Sequence, residues 1–278
     1  MKKKAVTPKP EMVLNIILDE SGSMSSVREK TVEGLNEYLG GLVDDPNADY
    51  LATLTKFDAY PGDPTCRIQY KLKKLKDIGP MELDHFNPRG STPLMDAVGI
   101  TVREVEKECG DRPVLTVIVT DGYENASREF TNETVKKLIQ EKQATGKWTF
   151  VYLGADQNAW ANSSAMGIPL GNSISYSSAN TQKAYAAMAS VTMARSYNNI
   201  MGASATVNCF ADAGLSNVSL EDNLNPRKPS KTTPASWAAV RNSASSRARV
   251  GGVARAQSQT TDQRRELALK AAKARWNK

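Results

Sequence analysis

Two kinds of apolar spacing alternate along the first two-thirds of the chain. Residues 12–18 are continuously apolar apart from Asn15, and residues 114–120 form a second apolar, β-branched run. Such runs are typical of strands that are buried on both faces of a parallel sheet. Helical spacing follows most of the runs. Strands are predicted at 12–19, 50–57, 65–72, 114–120, 148–153 and 173–177, and helices at 25–43, 93–105, 131–144, 158–166 and 180–195.

The order of these elements predicts the fold class. The link at 59–64 is too short for a parallel crossover, so the second and third strands should pair antiparallel and the third should be an edge strand. Elsewhere strands alternate with helices through residue 198, and Ser25 or Ser26 is expected to cap the first helix. We therefore predict an α/β, doubly wound, Rossmann-like domain with a mostly parallel six-stranded sheet.

Composition divides the chain into three parts: a disordered basic arm at 1–10, the α/β domain at 11–198, and a flexible, low-complexity basic tail at 199–278. The tail has 13 Lys and Arg against 5 Asp and Glu, a net charge of +8. The other 198 residues carry −2, since the whole chain carries +6. A short basic amphipathic helix is predicted in the tail at about 262–276.

Several classes of protein are disfavoured by what the sequence lacks. No apolar run reaches the roughly 18 residues of a membrane span, and no apolar segment of a signal peptide follows the N-terminal lysines. The three cysteines are widely spaced, which argues against a disulfide framework and favours a reducing, cytoplasmic location. The single histidine, His85, excludes a histidine-rich metal site.

Oxygen-bearing side chains gather at the predicted ends of two buried strands. Asp19 ends the first strand and Asp121 follows the fourth, while Ser21 and Ser23 lie in the turn after the first strand. Thr92 opens the second helix and adds a third hydroxyl. Ligands bind at the carboxyl ends of strands in open α/β sheets, and an all-oxygen set suits a hard cation. We therefore predict a site for Mg²⁺ or Mn²⁺.

Three segments carry a resemblance to a known family. The segments 19–24 (DESGSM), 91–97 (STPLMDA) and 120–122 (TDG) are similar, in order and separation, to the metal-ion-dependent adhesion site of von Willebrand factor type A domains. The similarity covers about residues 11–198 and implies the fold of that family. Ser91 departs from the pattern, because a second glycine is commoner there.

The resemblance also implies the ligand set. It assigns metal contact to the two serines and the threonine, and direct or water-mediated contact to the two aspartates: Ser21, Ser23, Thr92, Asp19 and Asp121. Asp96 is expected to cap or support the site rather than to bind the ion. Glu124, Asn125 and Ser127 follow Asp121 and are predicted to form a rim that selects partners.

The leading functional prediction is a non-enzymatic binding module of the adaptor or adhesion type, whose metal grips an acidic residue of a protein partner. This prediction depends on a set of five oxygen ligands that is accompanied by no catalytic base. One alternative is a Mg²⁺-dependent, phosphatase-like hydrolase with an aspartate nucleophile, although Ser21 stands where such enzymes usually have a second carboxylate. Because a Gly-rich phosphate loop is missing, similarity to chelatase-type assemblies would require a separate ATPase subunit.

A second alternative is nucleic-acid binding through the basic tail. Cationic side chains could neutralise phosphates, and a tryptophan could stack on bases. The candidate residues are Arg247, Arg249, Arg264, Arg265, Lys273 and Trp276. A solubilising tail without a ligand is the competing interpretation.

Overall fold

The computed structural model describes residues 9–154, 159–177, 179–203 and 208–215. The strands are β1 (Glu11–Asp19), β2 (Asp49–Phe57), β3 (Cys66–Lys74), β4 (Val114–Thr120), β5 (Trp148–Gly154) and β6 (Ser173–Ser175). The helices are α1 (Arg28–Leu42), α2 (Leu94–Cys109), α3 (Asn132–Ala144), α4 (Ala159–Ala165), α5 (Thr181–Ile200) and α6 (Cys209–Asp212). The predicted arm as far as residue 8 and the predicted helix at 262–276 lie outside the described residues.

One six-stranded sheet forms the centre, in the order β3-β2-β1-β4-β5-β6. Neighbouring strands are parallel except β2 and β3, which pair antiparallel at one edge. The predicted α/β class, strand number and antiparallel edge are therefore confirmed. β1 and β4 lie side by side although they are distant in sequence, so the strand order reverses between them. This is the position at which open α/β sheets bind ligands.

Helices cover both faces of the sheet. Alternate residues of β1 point to opposite faces, as strand geometry requires, and enter two separate apolar cores. α1, α5 and α6 contribute to the first core, and α2 and α3 to the second. β1 and β4 are thereby buried on both faces, which explains their continuous apolar runs.

The predicted boundaries of several elements differ from the structure by a few residues, and two of the differences affect the packing. A 3₁₀ turn at Gly22–Val27 precedes α1, so the helix begins at Arg28 and neither Ser25 nor Ser26 caps it. Burial of Met24 and Val27 keeps this turn against the sheet. The predicted domain end at 198 falls inside α5, and the later helix α6 places buried side chains in the first core. The packed unit is therefore longer than predicted.

The described helices include none that is long and apolar enough to cross a membrane. The three cysteines are free thiols, two of them buried and one half-buried. Burial raises the pKa of the Cys66 and Cys209 thiols to about 12, so both are neutral thiols at neutral pH.

The contact between α1 and α5 supplies a stability prediction. A Cβ on Gly34 would lie 2.3 Å from the Tyr185 ring, whereas Gly41 in the same helix has nothing within 4 Å. We expect Gly34→Ala to lower the free energy of unfolding by about 1–3 kcal/mol through overpacking. Gly41→Ala should be neutral or stabilising by up to about 1 kcal/mol. Urea denaturation of both variants measures the difference, and equal stabilities would contradict this packing.

Candidate metal centre

The two predicted aspartates lie at one edge of the sheet because their strands are parallel neighbours. β1 and β4 pair in register as far as Leu18 and Val119, so both chains end at the same level. Asp19 is fully buried and Asp121 is half-buried. Ser23 bridges from the first turn to the second loop, since its Oγ donates to Asp121 Oδ1 at 2.6 Å.

All five predicted ligands converge at this edge. The Ser21 and Ser23 hydroxyl oxygens are 3.1 Å apart, and the Ser21 amide donates to Asp19 Oδ1 at 2.7 Å. Thr92 reaches the same place: a Cβ built on Gly122 would lie 2.9 Å from Thr92 Oγ1 and 3.3 Å from Ser23 Oγ. The hydroxyls therefore line a cradle that stays open because residue 122 has no side chain.

The chemistry of the donor set fits a small divalent cation. Neighbouring oxygen ligands of Mg²⁺ stand about 3 Å apart when each bond is about 2.1 Å. In the cradle, Ser23 Oγ lies 3.1 Å from Ser21 Oγ and 2.6 Å from Asp121 Oδ1. The described residues contain no cluster of three or more His, Cys, Asp or Glu side chains that could hold a metal. A cation here would depend on hydroxyl ligands as well as on two carboxylates.

Electrostatics at the cradle favour a positive ion. Burial is the main cause that raises the pKa of Asp19 to about 6, and the nearby Asp121 carboxylate raises it further. Hydrogen bonds from Thr120 Oγ1, at 2.5 Å, and from the Ser21 amide oppose this rise. The ion pairs in the described part of the chain leave Asp19 without a Lys or Arg partner.

Reciprocal hydrogen bonds hold Thr92 against the loop that carries Asp121. The Thr92 amide donates to Asn125 Oδ1 at 2.8 Å, and the Asn125 amide donates to the Thr92 carbonyl oxygen at 3.1 Å. The predicted rim residue Asn125 thus fixes a ligand-bearing segment. Its side chain is exposed at the same time.

Glu124 and Ser127 are also predicted as rim residues, but their side chains form hydrogen bonds within the domain. The Glu124 carboxylate accepts the amide of Met95 at the start of α2 and the amides of Ala126 and Ser127, all at 2.8–2.9 Å. Ser127 Oγ donates to Glu124 Oε2 at 2.7 Å and accepts the Asp96 amide at 3.0 Å. These groups shape the loop, and partner selection by them stays a prediction.

Asp96 has the contacts of a supporting residue rather than those of a metal ligand, as expected from its place in the sequence. Its buried carboxylate accepts three consecutive backbone amides, those of Arg128, Glu129 and Phe130, at 2.8–2.9 Å. The loop after β4 is therefore fastened to the first turn of α2. The tail residues predicted to bind nucleic acid, from Arg247 to Trp276, lie outside the described residues.

Sequence reasoning missed Glu20, which is buried beside Asp19 with only 2% of its surface exposed. Its carboxylate contacts Lys56 and Arg67 from the neighbouring strands β2 and β3. The sequence did give one indication of its role, since Glu20 is a charged residue directly after a buried apolar strand. Its partners, however, are 36 and 47 residues away along the chain.

Comparison with known proteins finds similarity in structure alone. No family model matches the sequence, and no curated protein matches it either. Proximal thread matrix protein 1 from the mussel byssus is similar with a TM-score of 0.50 and 15% identity, over 65% of this chain and 46% of that protein. The pilus adhesin SpaC of Lactobacillus rhamnosus GG gives 0.54 and 13%, over 67% and 31%.

A von Willebrand factor type A protein from Catenulispora acidiphila is also similar, with a TM-score of 0.48 and 14% identity over 66% of this chain and 43% of that protein. The chain thus spans less than half the length of each of these three proteins. At such identities the comparison concerns the fold.

Proposed function

We propose that this domain, which has the fold of von Willebrand factor type A domains, is a protein-binding module that grips an acidic residue of its partner through Mg²⁺ or Mn²⁺. The residues that would hold the ion are Asp19, Ser21, Ser23, Thr92 and Asp121. The observation that carries the proposal is the convergence of two carboxylates and three hydroxyls on one open cradle.

The burial of the five candidate ligand residues indicates the side from which a partner would approach the ion. Asp19, Ser21 and Thr92 are buried and form its floor, whereas Ser23 is exposed and Asp121 is half-buried. A partner would approach from the side of Ser23 and Asp121. When bound, the cation would supply a Lewis-acidic centre that accepts a carboxylate oxygen. Mg²⁺ takes six ligands in an octahedral arrangement and the chain offers five side chains, so a coordination position would be left for that carboxylate.

The same geometry argues against hydrolysis by an aspartate nucleophile. Asp19 is fully buried, and both of its oxygens accept hydrogen bonds. The neighbouring basic residue Lys56 is bound to Glu20 and to the His85 carbonyl oxygen. The similar structures include a pilus adhesin and a byssal matrix protein, and their names agree with a binding role better than with catalysis.

Cation binding is the first test of the proposal. We expect calorimetric titration with Mn²⁺ to reveal one site, and Asp121→Asn to weaken it by at least about 10-fold, because the ion loses a charged ligand. Asp111→Asn is the matched control, since Asp111 precedes the same strand β4 at its opposite end and is 98% exposed. Equal binding by the wild type and Asp121→Asn would contradict the proposed ligand set.

Partner capture is the second part of the same test. The immobilised wild type is incubated with a native lysate in Mg²⁺ or in EDTA, beside Asp121→Asn and Asp111→Asn. We expect a partner that is retained by the wild type and the control in Mg²⁺ only. A partner that is retained equally in EDTA and by Asp121→Asn would contradict binding through the metal ion.

A further inference from the structure

We propose that Glu20 is a positioning residue of the cation site, which fixes the segment 87–91 and thereby places the Thr92 hydroxyl. The inference rests on the proposed function, because it concerns a ligand of the same cation. Thr92 needs such support more than the other donors. It comes from neither the end of β1 nor the end of β4, but from a segment that crosses the edge of the sheet.

Every oxygen of the Glu20 carboxylate is occupied. Oε1 accepts from Lys56 Nζ at 3.0 Å and from the Asn87 amide at 2.7 Å, and Oε2 accepts from Arg67 Nη2 at 2.8 Å. A buried carboxylate is tolerated only when its charge is paired and its lone pairs are satisfied. These contacts explain why a carboxylate adjacent to Asp19 does not join the cradle.

The backbone around Glu20 holds the same segment. The Glu20 carbonyl oxygen accepts the Arg89 amide at 2.8 Å, and the Gly22 amide donates to the Gly90 carbonyl oxygen at 3.1 Å. Lys56, whose Nζ contacts Glu20, also donates to the His85 carbonyl oxygen at 2.5 Å. The segment that leads to Thr92 is thus attached at successive points to the turn that carries Ser21 and Ser23.

The attachment continues to the residue before Thr92. Ser91 and Ala59 exchange backbone hydrogen bonds of 3.1 and 2.9 Å, which form an isolated antiparallel bridge beyond the end of β2. Asp58, fully buried next to Ala59, pairs with Arg67 and with Arg89. Arg67 therefore joins both buried carboxylates, and Arg89 belongs to the segment that the network fixes.

Glu20→Gln tests the inference because it keeps the shape of the side chain. An amide group must turn its NH₂ towards one of the donors from which Glu20 now accepts, and it leaves the buried cations Lys56 and Arg67 without a charged partner. Both changes loosen the network that holds the segment before Thr92. We expect Mn²⁺ affinity to fall about 10-fold, the size of effect that supporting residues have on metal sites. Glu104→Gln is the control, since Glu104 pairs with Lys71 and Lys107 on the surface.

A double-mutant cycle with Thr92→Val separates positioning from general stability. If Glu20 acts through Thr92, Glu20→Gln will change Mn²⁺ affinity less than about 2-fold once the Thr92 hydroxyl is absent. Water-proton relaxation supplies an independent measurement. In the Thr92-containing background, Glu20→Gln should raise the number of Mn²⁺-bound waters towards that of Thr92→Val, whereas Glu104→Gln should leave it unchanged.

Arg67→Lys provides a second variant should Glu20→Gln unfold, because it keeps a charge near Glu20 and removes the fork that joins it to Asp58. We expect a smaller loss of Mn²⁺ affinity that also vanishes in the Thr92→Val background. Unchanged affinity, or losses that add to that of Thr92→Val, would overturn the inference while the proposed function stands. Absence of Mn²⁺ binding by the wild type would overturn both.

Discussion

Asp19→Asn is expected to abolish measurable binding of divalent cations without lowering the stability of the protein in EDTA. The loss of a buried charged ligand should weaken Mn²⁺ binding by at least about 100-fold, which exceeds the effect of a supporting residue. Asparagine can still accept the Ser21 amide and can donate to Thr120 Oγ1, so both hydrogen bonds of Asp19 have a replacement. The buried negative charge disappears.

The direction of the stability change follows from that burial. The pKa of Asp19 is raised to about 6, mainly because burial disfavours its charged form. At neutral pH the ionised carboxylate therefore opposes folding, and its removal should raise the free energy of unfolding in EDTA by about 1–3 kcal/mol. Mg²⁺ should stabilise the wild type and leave Asp19→Asn unaffected. Chemical denaturation in EDTA and in Mg²⁺, beside calorimetry with Mn²⁺, measures both effects.

Asp49→Asn is the matched control, because Asp49 begins β2 at the other end of the sheet and is exposed. It should keep both the affinity for Mn²⁺ and the stabilisation by Mg²⁺. A large loss of stability of Asp19→Asn in EDTA would show that the carboxylate serves the fold. Cation affinity equal to that of the wild type would remove Asp19 from the ligand set.

The strands could be predicted because their pattern is local. β4 coincides with the predicted run 114–120, since a strand covered on both faces must be apolar at every position. The shared edge of Asp19 and Asp121 then follows from parallel neighbouring strands. The convergence of the five ligand residues could be predicted only from the three motif segments together, because no single segment indicates how far it lies from the others in space.

Features that depend on distant partners could not be predicted. The spacing after Ser23 suggested a helix from residue 25, but hydrogen bonding to Gly90 and burial of Met24 favour a 3₁₀ turn first. Glu124 was predicted to lie on a rim that selects partners, whereas its hydrogen bond with the Met95 amide at the start of α2 turns its carboxylate inward. Neither the spacing of hydrophobic residues nor the residue types indicate such contacts between distant parts of the chain.

Gly122→Ala should strongly weaken Mg²⁺ binding although it deletes no ligand. The new Cβ would lie 2.9 Å from Thr92 Oγ1 and 3.3 Å from Ser23 Oγ, so both hydroxyls would have to move by tenths of an ångström. Mg²⁺ requires nearly ideal octahedral ligands at about 2.1 Å, whereas Ca²⁺ accepts longer and more flexible bonds. We expect Mg²⁺ affinity to fall on the order of 100-fold and Ca²⁺ affinity to fall less.

The fold should tolerate this methyl group, which makes the result specific to the cradle. Gly122 is absent from the glycines with positive φ, so alanine meets no backbone strain there, and stability in EDTA should change by less than about 1 kcal/mol. Gly79→Ala is the control, with nothing within 4 Å of its Cβ. Wild-type Mg²⁺ affinity in Gly122→Ala would mean that Thr92 and Ser23 do not bind one ion. A selective loss of Mg²⁺ over Ca²⁺ would instead tie the ion to the space that residue 122 leaves open.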